Sequence, residues 1–587
     1  MSFLDLLQES EITVLNDYFH DVKFPKGALI IREGDPGEGC YFIDEGEVRA
    51  ELRNTETDSD SVLSYVEAGA FIGEISLLDG KPRSASVFAQ TDVSARWFSR
   101  EDFDKLCEEH PKIGFVILKN LGEDLSAKIR RETTKVAEYI FADEIDADTN
   151  AMVARAVAAQ RAFAGWSEEK VDAMLKAVAE AVAAQAQALA EACVAETKIG
   201  VVADKVEKIR FGSLRVWESL AGQPAAGLLS NDDVRRVSEI ASPMGVIFGL
   251  IPLTNPVSTF AFKVLIALKG RNAIILSCHR EAQGVGNQTG EIIAAVLQKH
   301  NAPADLVQWV RGRGSRKKTM MFMKHPDIAL ILATGGPSMV KAAYSSGTPA
   351  IGVGSGNAPT WICADADIEA AARIVVSSKS FDNGVLCGSE NNLVVDASVL
   401  PEFIKALEAN GAQVLTPDEK ARFVVKAFDA EGHTVQRELI GKSALHIAQS
   451  TGIKPKGDIR LVVIPATPDE MLGPLGHEKL APMLSLFTVK DEAEGFAVCK
   501  KIIGAEGSGH TAIIHTTNPK LAERYALEIQ ASRVLVNTPG SQGCAGICNG
   551  LTPSLTLGCG TYGGNSTTDN VTYTHLLNIK RMALSLS

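Results

Sequence analysis

The 587 residues contain little that would mark a secreted, membrane-bound or nucleic-acid-binding protein. Ten cysteines in so long a chain are too sparse for a disulfide framework. The closest pair, Cys544 and Cys548, lacks the two-residue redox spacing and is followed by no second ligand pair, so no metal site is expected. No uninterrupted apolar run reaches membrane-spanning length. Met1-Ser2-Phe3-Leu4-Asp5 has no basic region leading into an apolar stretch, so no signal peptide is expected and the compartment reads as cytoplasmic. Basic residues are outnumbered, and the net charge of -13 argues against a nucleic-acid surface. There is no internal repeat and no low-complexity tract. What remains is an ordinary globular composition, 45% hydrophobic and 22% charged, in a chain too long for one core.

The first quarter differs from the rest. Short β-rich runs (Ala28-Leu29-Ile30-Ile31, Cys40-Tyr41-Phe42-Ile43, Glu47-Val48-Arg49-Ala50-Glu51-Leu52) alternate with turns at Glu33-Gly34-Asp35-Pro36-Gly37 and Asp44-Glu45-Gly46. This pattern predicts a small β-barrel or roll up to about residue 98, with charged helices from residue 100 to about 139. Residues 141–150 carry four acidic side chains and no basic one, which reads as an exposed linker. An Ala-rich helical region follows, with Ser167 before Glu168 and Glu169 as a start signal and Gly200 as a stop. Beyond residue 240 the apolar runs Gly245-Val246-Ile247-Phe248-Gly249-Leu250-Ile251, Ala273-Ile274-Ile275-Leu276 and Ile328-Ala329-Leu330-Ile331-Leu332 alternate with helices. They predict buried parallel strands in a doubly wound sheet.

Two stretches carry chemistry. In Phe71-Ile72-Gly73-Glu74-Ile75-Ser76-Leu77-Leu78, followed by Lys81-Pro82-Arg83-Ser84-Ala85-Ser86-Val87, a glycine-bearing turn is flanked by a carboxylate and a guanidinium. An arginine beside exposed amides suits a phosphate, and a glutamate accepts from a ribose hydroxyl. The stretch resembles the phosphate-binding cassette of cyclic nucleotide-binding domains, as do Phe24-Pro25-Lys26-Gly27 and Glu33-Gly34-Asp35 upstream, over about residues 10 to 135. The resemblance implies that Gly73, Glu74, Arg83 and Ser84 form the site, Glu74 on the ribose 2′-hydroxyl, Arg83 on the cyclic phosphate, and Ser84 on phosphate or base. The effector is then cAMP or cGMP.

The second stretch is Ser380-Phe381-Asp382-Asn383-Gly384-Val385-Leu386-Cys387-Gly388-Ser389-Glu390. A lone cysteine is more often a core residue than a nucleophile. The run nevertheless resembles the catalytic-cysteine segment of the aldehyde dehydrogenase superfamily, in the CoA-acylating branch found in bifunctional aldehyde-alcohol dehydrogenases. Further motifs appear in the family's order from about residue 150 onward. Pro252-Leu253-Thr254-Asn255-Pro256 supplies Asn255, implied as oxyanion donor together with the backbone N–H of Cys387. Leu332-Ala333-Thr334-Gly335-Gly336-Pro337-Ser338 matches the cofactor loop, which implies cofactor contacts at Thr334, Gly335 and Gly336. His477-Glu478-Lys479-Leu480-Ala481-Pro482 supplies Glu478, implied as a ligand of the nicotinamide ribose. Ser554-Leu555-Thr556-Leu557-Gly558-Cys559-Gly560 and Gly563-Gly564-Asn565 match the closing segment.

One departure is informative. Hydrolytic members place a glutamate before the paired glycines, where it activates water. Here the segment reads Gly352-Val353-Gly354-Ser355-Gly356-Asn357, with apolar Val353 in that place. Without the base, a thiol acceptor competes with water.

The expected architecture is a cyclic nucleotide-binding β-roll with C-terminal helices (1–135), an acidic linker (136–149), and an α/β aldehyde dehydrogenase fold of two doubly wound subdomains. The latter comprises an NAD(P)-binding part (150–368), a catalytic cysteine part (369–560) and a C-terminal segment (561–587). The resemblance implies a CoA-acylating aldehyde dehydrogenase that uses NAD or NADP, with CoA as second substrate, acetaldehyde as default aldehyde, and no iron-dependent alcohol dehydrogenase partner after Ser587. A homo-oligomer regulated by cyclic nucleotide, in the direction of activation, is expected. The alternative is an active enzyme, or an inactive scaffold, whose N-terminal domain serves assembly.

Overall fold

The computed structural model describes residues 7–54, 59–312, 315–429 and 434–586; the N-terminal pentapeptide read above lies outside them. The chain divides into two compact units, Met1–Asp143 and Glu144–Ser587.

The first unit is the expected β-roll. One antiparallel sheet runs His20–Phe24, Val93–Ser99, Gly39–Glu45, Phe71–Ile72, and a second runs Leu29–Ile31, Ser86–Ala89, Glu47–Asn54, Ser59–Glu67. Alternation along the strands buries Ile43, Val48 and Val87 in one cluster and turns Phe42 and Phe98 to a second, with Phe103 and Leu106 of the following helix. Gly46 closes the Asp44-Glu45-Gly46 turn at φ 94°, a conformation that favours glycine. Helices Arg100–Glu109 and Pro111–Phe163 follow, as the charge pattern predicts. The first is capped by Ser99, which accepts from the Asp102 N–H.

The expected linker has a helical backbone throughout. Its last residues have partners: Thr149 is buried, Asp148, though exposed, pairs with Lys318, and Asn150 Oδ1 lies 3.0 Å from His325 Nε2. Acidic composition alone hid these partners, which come from a helix some 170 residues later in the chain.

The second unit contains two parallel sheets. The five-stranded sheet runs Val307–Trp309, Ala273–Cys278, Val246–Ile251, Ile328–Thr334, Ala350–Val353. The seven-stranded sheet runs Ala412–Val414, Leu461–Ala466, Met483–Val489, Glu390–Asp396, Ala358–Ile362, Gly509–His515, Ala531–Val536. The chain passes from one to the other between Val353 and Ala358. All three long apolar runs are parallel strands, and each is almost wholly buried, as continuous hydrophobicity requires. A third, antiparallel sheet pairs Leu577–Ala583 with Val237–Pro243, which pairs in turn with Gly227–Asp232.

The Ala-rich region forms two helices, Glu168–Ala184 and Ala186–Thr197. Ser167 caps the first by accepting from the Lys170 N–H. The second ends at Lys198, in the left-handed region at φ 60°, two residues before the expected stop at Gly200. Helix Pro256–Lys269 is buried on every face, lysines included. Lys263 survives there because its Nζ donates to Leu250 O at 2.6 Å and Leu332 O at 2.8 Å; burial pulls its pKa down to about 7.

Candidate active site

Cys387 follows the tight turn Phe381–Gly384, in which Asp382, Asn383 and Gly384 all have positive φ. Three such residues in succession reverse the chain as it leaves helix Ile368–Ser380 and swing it toward strand Glu390–Asp396. The Cys387 Sγ lies 3.1 Å from Nε2 of His510, at the start of strand Gly509–His515. His510 is buried, its Nδ1 is 2.9 Å from Thr511 Oγ1, and its carbonyl accepts from Arg533 Nη2 at 2.9 Å. Sequence reasoning missed His510. It stands 123 residues from Cys387, and only the order of the seven-stranded sheet, which sets Glu390–Asp396 and Gly509–His515 on either side of Ala358–Ile362, brings the two together.

Burial, reinforced by Cys544, Glu478 and Cys559 nearby, pushes the Cys387 thiol well above its ordinary value, against the pull of Arg533. Burial and Arg533 hold the His510 imidazole well below its own. At neutral pH the resting pair is therefore a neutral thiol against a neutral imidazole.

The glycine-rich segment packs directly on the nucleophile loop. A Cβ on Gly356 would lie 1.6 Å from the Cys387 carbonyl oxygen, so only glycine permits the approach. Val353 is buried in an apolar cluster with Ala358, Ile513, Leu535 and Leu557, and Cys387 packs against that cluster. Val353 is thus part of a hydrophobic wall beside Cys387. Glu478 accepts from the Gly356 N–H at 3.1 Å, and its own N–H donates to Glu506 Oε2 at 2.8 Å. Burial and the Glu506 charge raise its carboxyl to about 8.

Asn255 precedes helix Pro256–Lys269, directly after the central strand Val246–Ile251. Its Oδ1 accepts from Lys208 Nζ at 2.5 Å, and its Nδ2 lies 3.2 Å from Thr254 Oγ1.

Thr334, Gly335 and Gly336 join strand Ile328–Thr334 to helix Pro337–Tyr344, which has proline in its first turn. The Thr334 hydroxyl is buried without a hydrogen-bond partner, a Cβ on Gly336 would meet nothing within 4 Å, and one on Gly335 would meet only Met339. An orphaned hydroxyl beside two open glycine faces fits the phosphate portion of a dinucleotide.

In the first unit, Gly73 adopts φ 76° and begins the short helix Glu74–Asp79. A Cβ there would come within 2.6 Å of Arg83 Nη1, which donates to Gly73 O at 2.8 Å. Glu74 and Arg83 are both buried, while Ser84 is exposed. Glu74 is paired, its Oε1 2.6 Å from Lys128 Nζ on helix Pro111–Phe163.

Residues 127–574 match the model of the aldehyde dehydrogenase family, and residues 21–110 match that of the cyclic nucleotide-binding domain. The chain belongs to the aldehyde dehydrogenase family and carries a cyclic nucleotide-binding type of domain upstream of the family's α/β body. It is similar to the bifunctional aldehyde-alcohol dehydrogenase of Escherichia coli, 39% identical over 442 residues, which are 74% of this chain and 49% of that protein. The chain thus spans about half the length of that bifunctional relative. The acetylating succinate-semialdehyde dehydrogenase of Clostridium kluyveri is 33% identical, covering 73% of this chain and 94% of its own length. Among solved structures, an acetylating aldehyde dehydrogenase from Geobacillus thermoglucosidasius superposes with a TM-score of 0.73 at 36% identity, covering 76% of this chain and 98% of the other. The resemblance to the acylating branch drawn from the motifs is that of these relatives. Among the described residues no helix is long and apolar enough to cross a membrane.

Proposed function

We propose that the protein is a CoA-acylating aldehyde dehydrogenase that converts an aldehyde, CoA and NAD(P)+ to acyl-CoA and NAD(P)H, under control of a cyclic nucleotide bound near Glu74 and Arg83. The observation that carries the catalytic half is a thiol held 3.1 Å from an imidazole within a wall that includes Val353.

His510 Nε2 takes the Cys387 proton as Sγ adds to the aldehyde carbon, forming the C–S bond and moving the carbonyl π pair onto oxygen. The oxyanion is held by Asn255 Nδ2–H and the Cys387 N–H, a kind of donor worth about 10²–10³ in rate. Thr334, Gly335, Gly336 and Glu478 hold NAD(P)+, which when bound accepts the hydride whose departure leaves a thioester on Cys387. His510 then releases its proton to water and accepts that of the CoA thiol. CoA sulfur adds to the thioester carbon, the C–S bond to Cys387 breaks, and its thiolate leaves. Val353 offers no base to water, and Glu478 is mostly protonated at neutral pH, so the thioester persists until a thiol arrives.

For the regulatory half, Arg83 is buried yet preplaced beside Gly73 and Glu74, as a cyclic phosphate and a ribose hydroxyl require. A second reading, in which the domain serves assembly only, is favoured by one observation: Lys128 already satisfies Glu74. The test is NAD(P)H formation on a panel of small aldehydes with CoA and each nicotinamide, with and without saturating cAMP or cGMP, repeated on Arg83→Ala. Activation by nucleotide, lost in Arg83→Ala, supports regulation; a protein that binds nucleotide with no change in rate, substrate affinity or oligomeric state leaves the assembly reading.

A further inference from the structure

Two lysines and an aspartate form a buried ionic cluster between the nucleophile turn and the oxyanion donor. Asp382, five residues before Cys387, is fully buried and left-handed at φ 47°. Its Oδ2 accepts from Lys205 Nζ at 3.0 Å and from Lys208 Nζ, and its Oδ1 from the Val201 N–H at 2.8 Å. The Asp382 N–H donates to Asp204 Oδ2 at 2.7 Å. Lys205 and Lys208 share one face of helix Val202–Arg210, three residues apart, and each lysine side chain is under 5% exposed. Lys205 Nζ also donates to Thr254 O at 3.0 Å, and Lys208 Nζ to Asn255 Oδ1 at 2.5 Å.

We infer that Lys208, anchored by Asp382, is the positioning residue that turns the Asn255 amide so that its nitrogen, not its oxygen, meets the reacting carbonyl oxygen. An amide presents a donor and an acceptor of nearly equal size, and nothing in an asparagine alone decides which one faces the substrate. An ammonium cannot accept a hydrogen bond, so it fixes Oδ1 on its own side. Nδ2 then gives one hydrogen to Thr254 Oγ1 and offers the other to the oxyanion. By holding Oδ1, the Lys208 Nζ polarises the amide and makes Nδ2–H a stronger donor as negative charge develops. Asp382 lies in the cysteine segment and Lys208 touches the oxyanion donor, so one cluster sets the distance between them. A purely structural rivet between the helix and the turn would need the Asp382 contacts but not the one to Asn255.

The inference rests on the oxyanion role of Asn255 proposed above, and two assays keep the two apart. One is CoA-dependent NAD(P)H formation. The other is the burst of 4-nitrophenol released as 4-nitrophenyl acetate acylates Cys387 through a similar oxyanion, without nicotinamide or CoA. Lys208→Met leaves the Lys205–Asp382 pair intact. It is expected to lower kcat in the first assay and the burst rate in the second about 10²-fold, with KM and the rate of Cys387 alkylation by iodoacetamide within about threefold of wild type. Lys208→Gln, which restores a neutral donor, recovers most of the loss, and Lys208→Leu substitutes for the Met variant if that fails to fold. Lys208→Met combined with Asn255→Ala is no slower than Asn255→Ala alone, because both remove one interaction. A folded Lys208→Met with unchanged kcat, or losses that multiply in the double variant, overturns the inference. Wild type that gives the acylation burst but forms no acyl-CoA overturns the acylating function while the burst still decides Lys208; wild type inactive on both overturns the oxyanion reading and this inference with it.

Discussion

The Cys387 thiol and the His510 imidazole face each other at 3.1 Å, with both groups driven toward their neutral forms by burial. On the proposed mechanism the thiol ionises only as its proton moves to His510, which would couple nucleophile generation to attack on a bound aldehyde. His510→Ala is expected to lower aldehyde turnover by about 10²–10⁴-fold and to slow Cys387 alkylation at neutral pH. Rates of both reactions, measured from pH 6 to 10, check this; an alanine variant with wild-type alkylation at pH 7 would show that the imidazole takes no part in generating the thiolate.

Cys387→Ser retains the fold and nicotinamide binding and loses aldehyde oxidation. Fluorescence titration of NAD(P)H and steady-state kinetics on the same preparation separate the two properties. Activity within a few-fold of wild type would remove Cys387 from the mechanism.

The apolar wall predicts the outcome of restoring a base. Val353→Glu places a carboxyl group in the cluster against which Cys387 packs, and free acid is expected to appear in the absence of CoA, at least about tenfold faster than in wild type. Chromatographic product analysis reads this directly. Because Val353 is buried among Ala358, Ile513 and Leu557, the variant is also expected to melt several degrees lower.

Glu478 gives a pH signature. Folding raises its carboxyl from 4.5 to about 8, so between those values the folded protein holds a proton that the unfolded chain has released. Its contribution is fully present below about pH 4.5 and is lost as pH rises through about 8. Glu478→Gln keeps an acceptor for the Gly356 N–H and cannot ionise. Its melting temperature relative to wild type is therefore expected to climb from pH 5 to pH 8. A constant difference across that range would mean that the carboxyl is not shifted.

The Lys128–Glu74 pair sets a further expectation for the first unit. If Glu74 receives a ribose hydroxyl, the ligand must displace the Lys128 ammonium. Lys128→Ala is expected to tighten cAMP or cGMP binding several-fold, while Glu74→Ala and Arg83→Ala weaken it at least tenfold. Calorimetry on the full chain measures all three. Weaker binding in Lys128→Ala would make Lys128 a ligand residue and not a competitor.

Much of this architecture was legible in the sequence, for particular reasons. Strands such as Val246–Ile251 and Ile328–Thr334 are buried on both faces and so read as continuous apolar runs. Gly73, Glu74 and Arg83 lie within a dozen residues of one another, so their pocket could be read locally. The partners that complete each site could not. His510 reaches Cys387, Lys208 reaches Asn255 and Lys128 reaches Glu74 across 123, 47 and 54 residues, through strand order and helix packing that no local pattern encodes. The buried lysines were hidden for a related reason: Lys205 and Lys208 look like surface charge until Asp382 is brought beneath them.

The central claim is a thioester on Cys387 that waits for a thiol. Intact-protein mass spectrometry of wild type given aldehyde and NAD(P)+ without CoA tests it most directly. The account predicts one acyl group per chain, mapped to Cys387, stable against water over the assay and discharged as acyl-CoA when CoA is added. Free acid released at the same rate with and without CoA, with no acyl-enzyme accumulating, would contradict it.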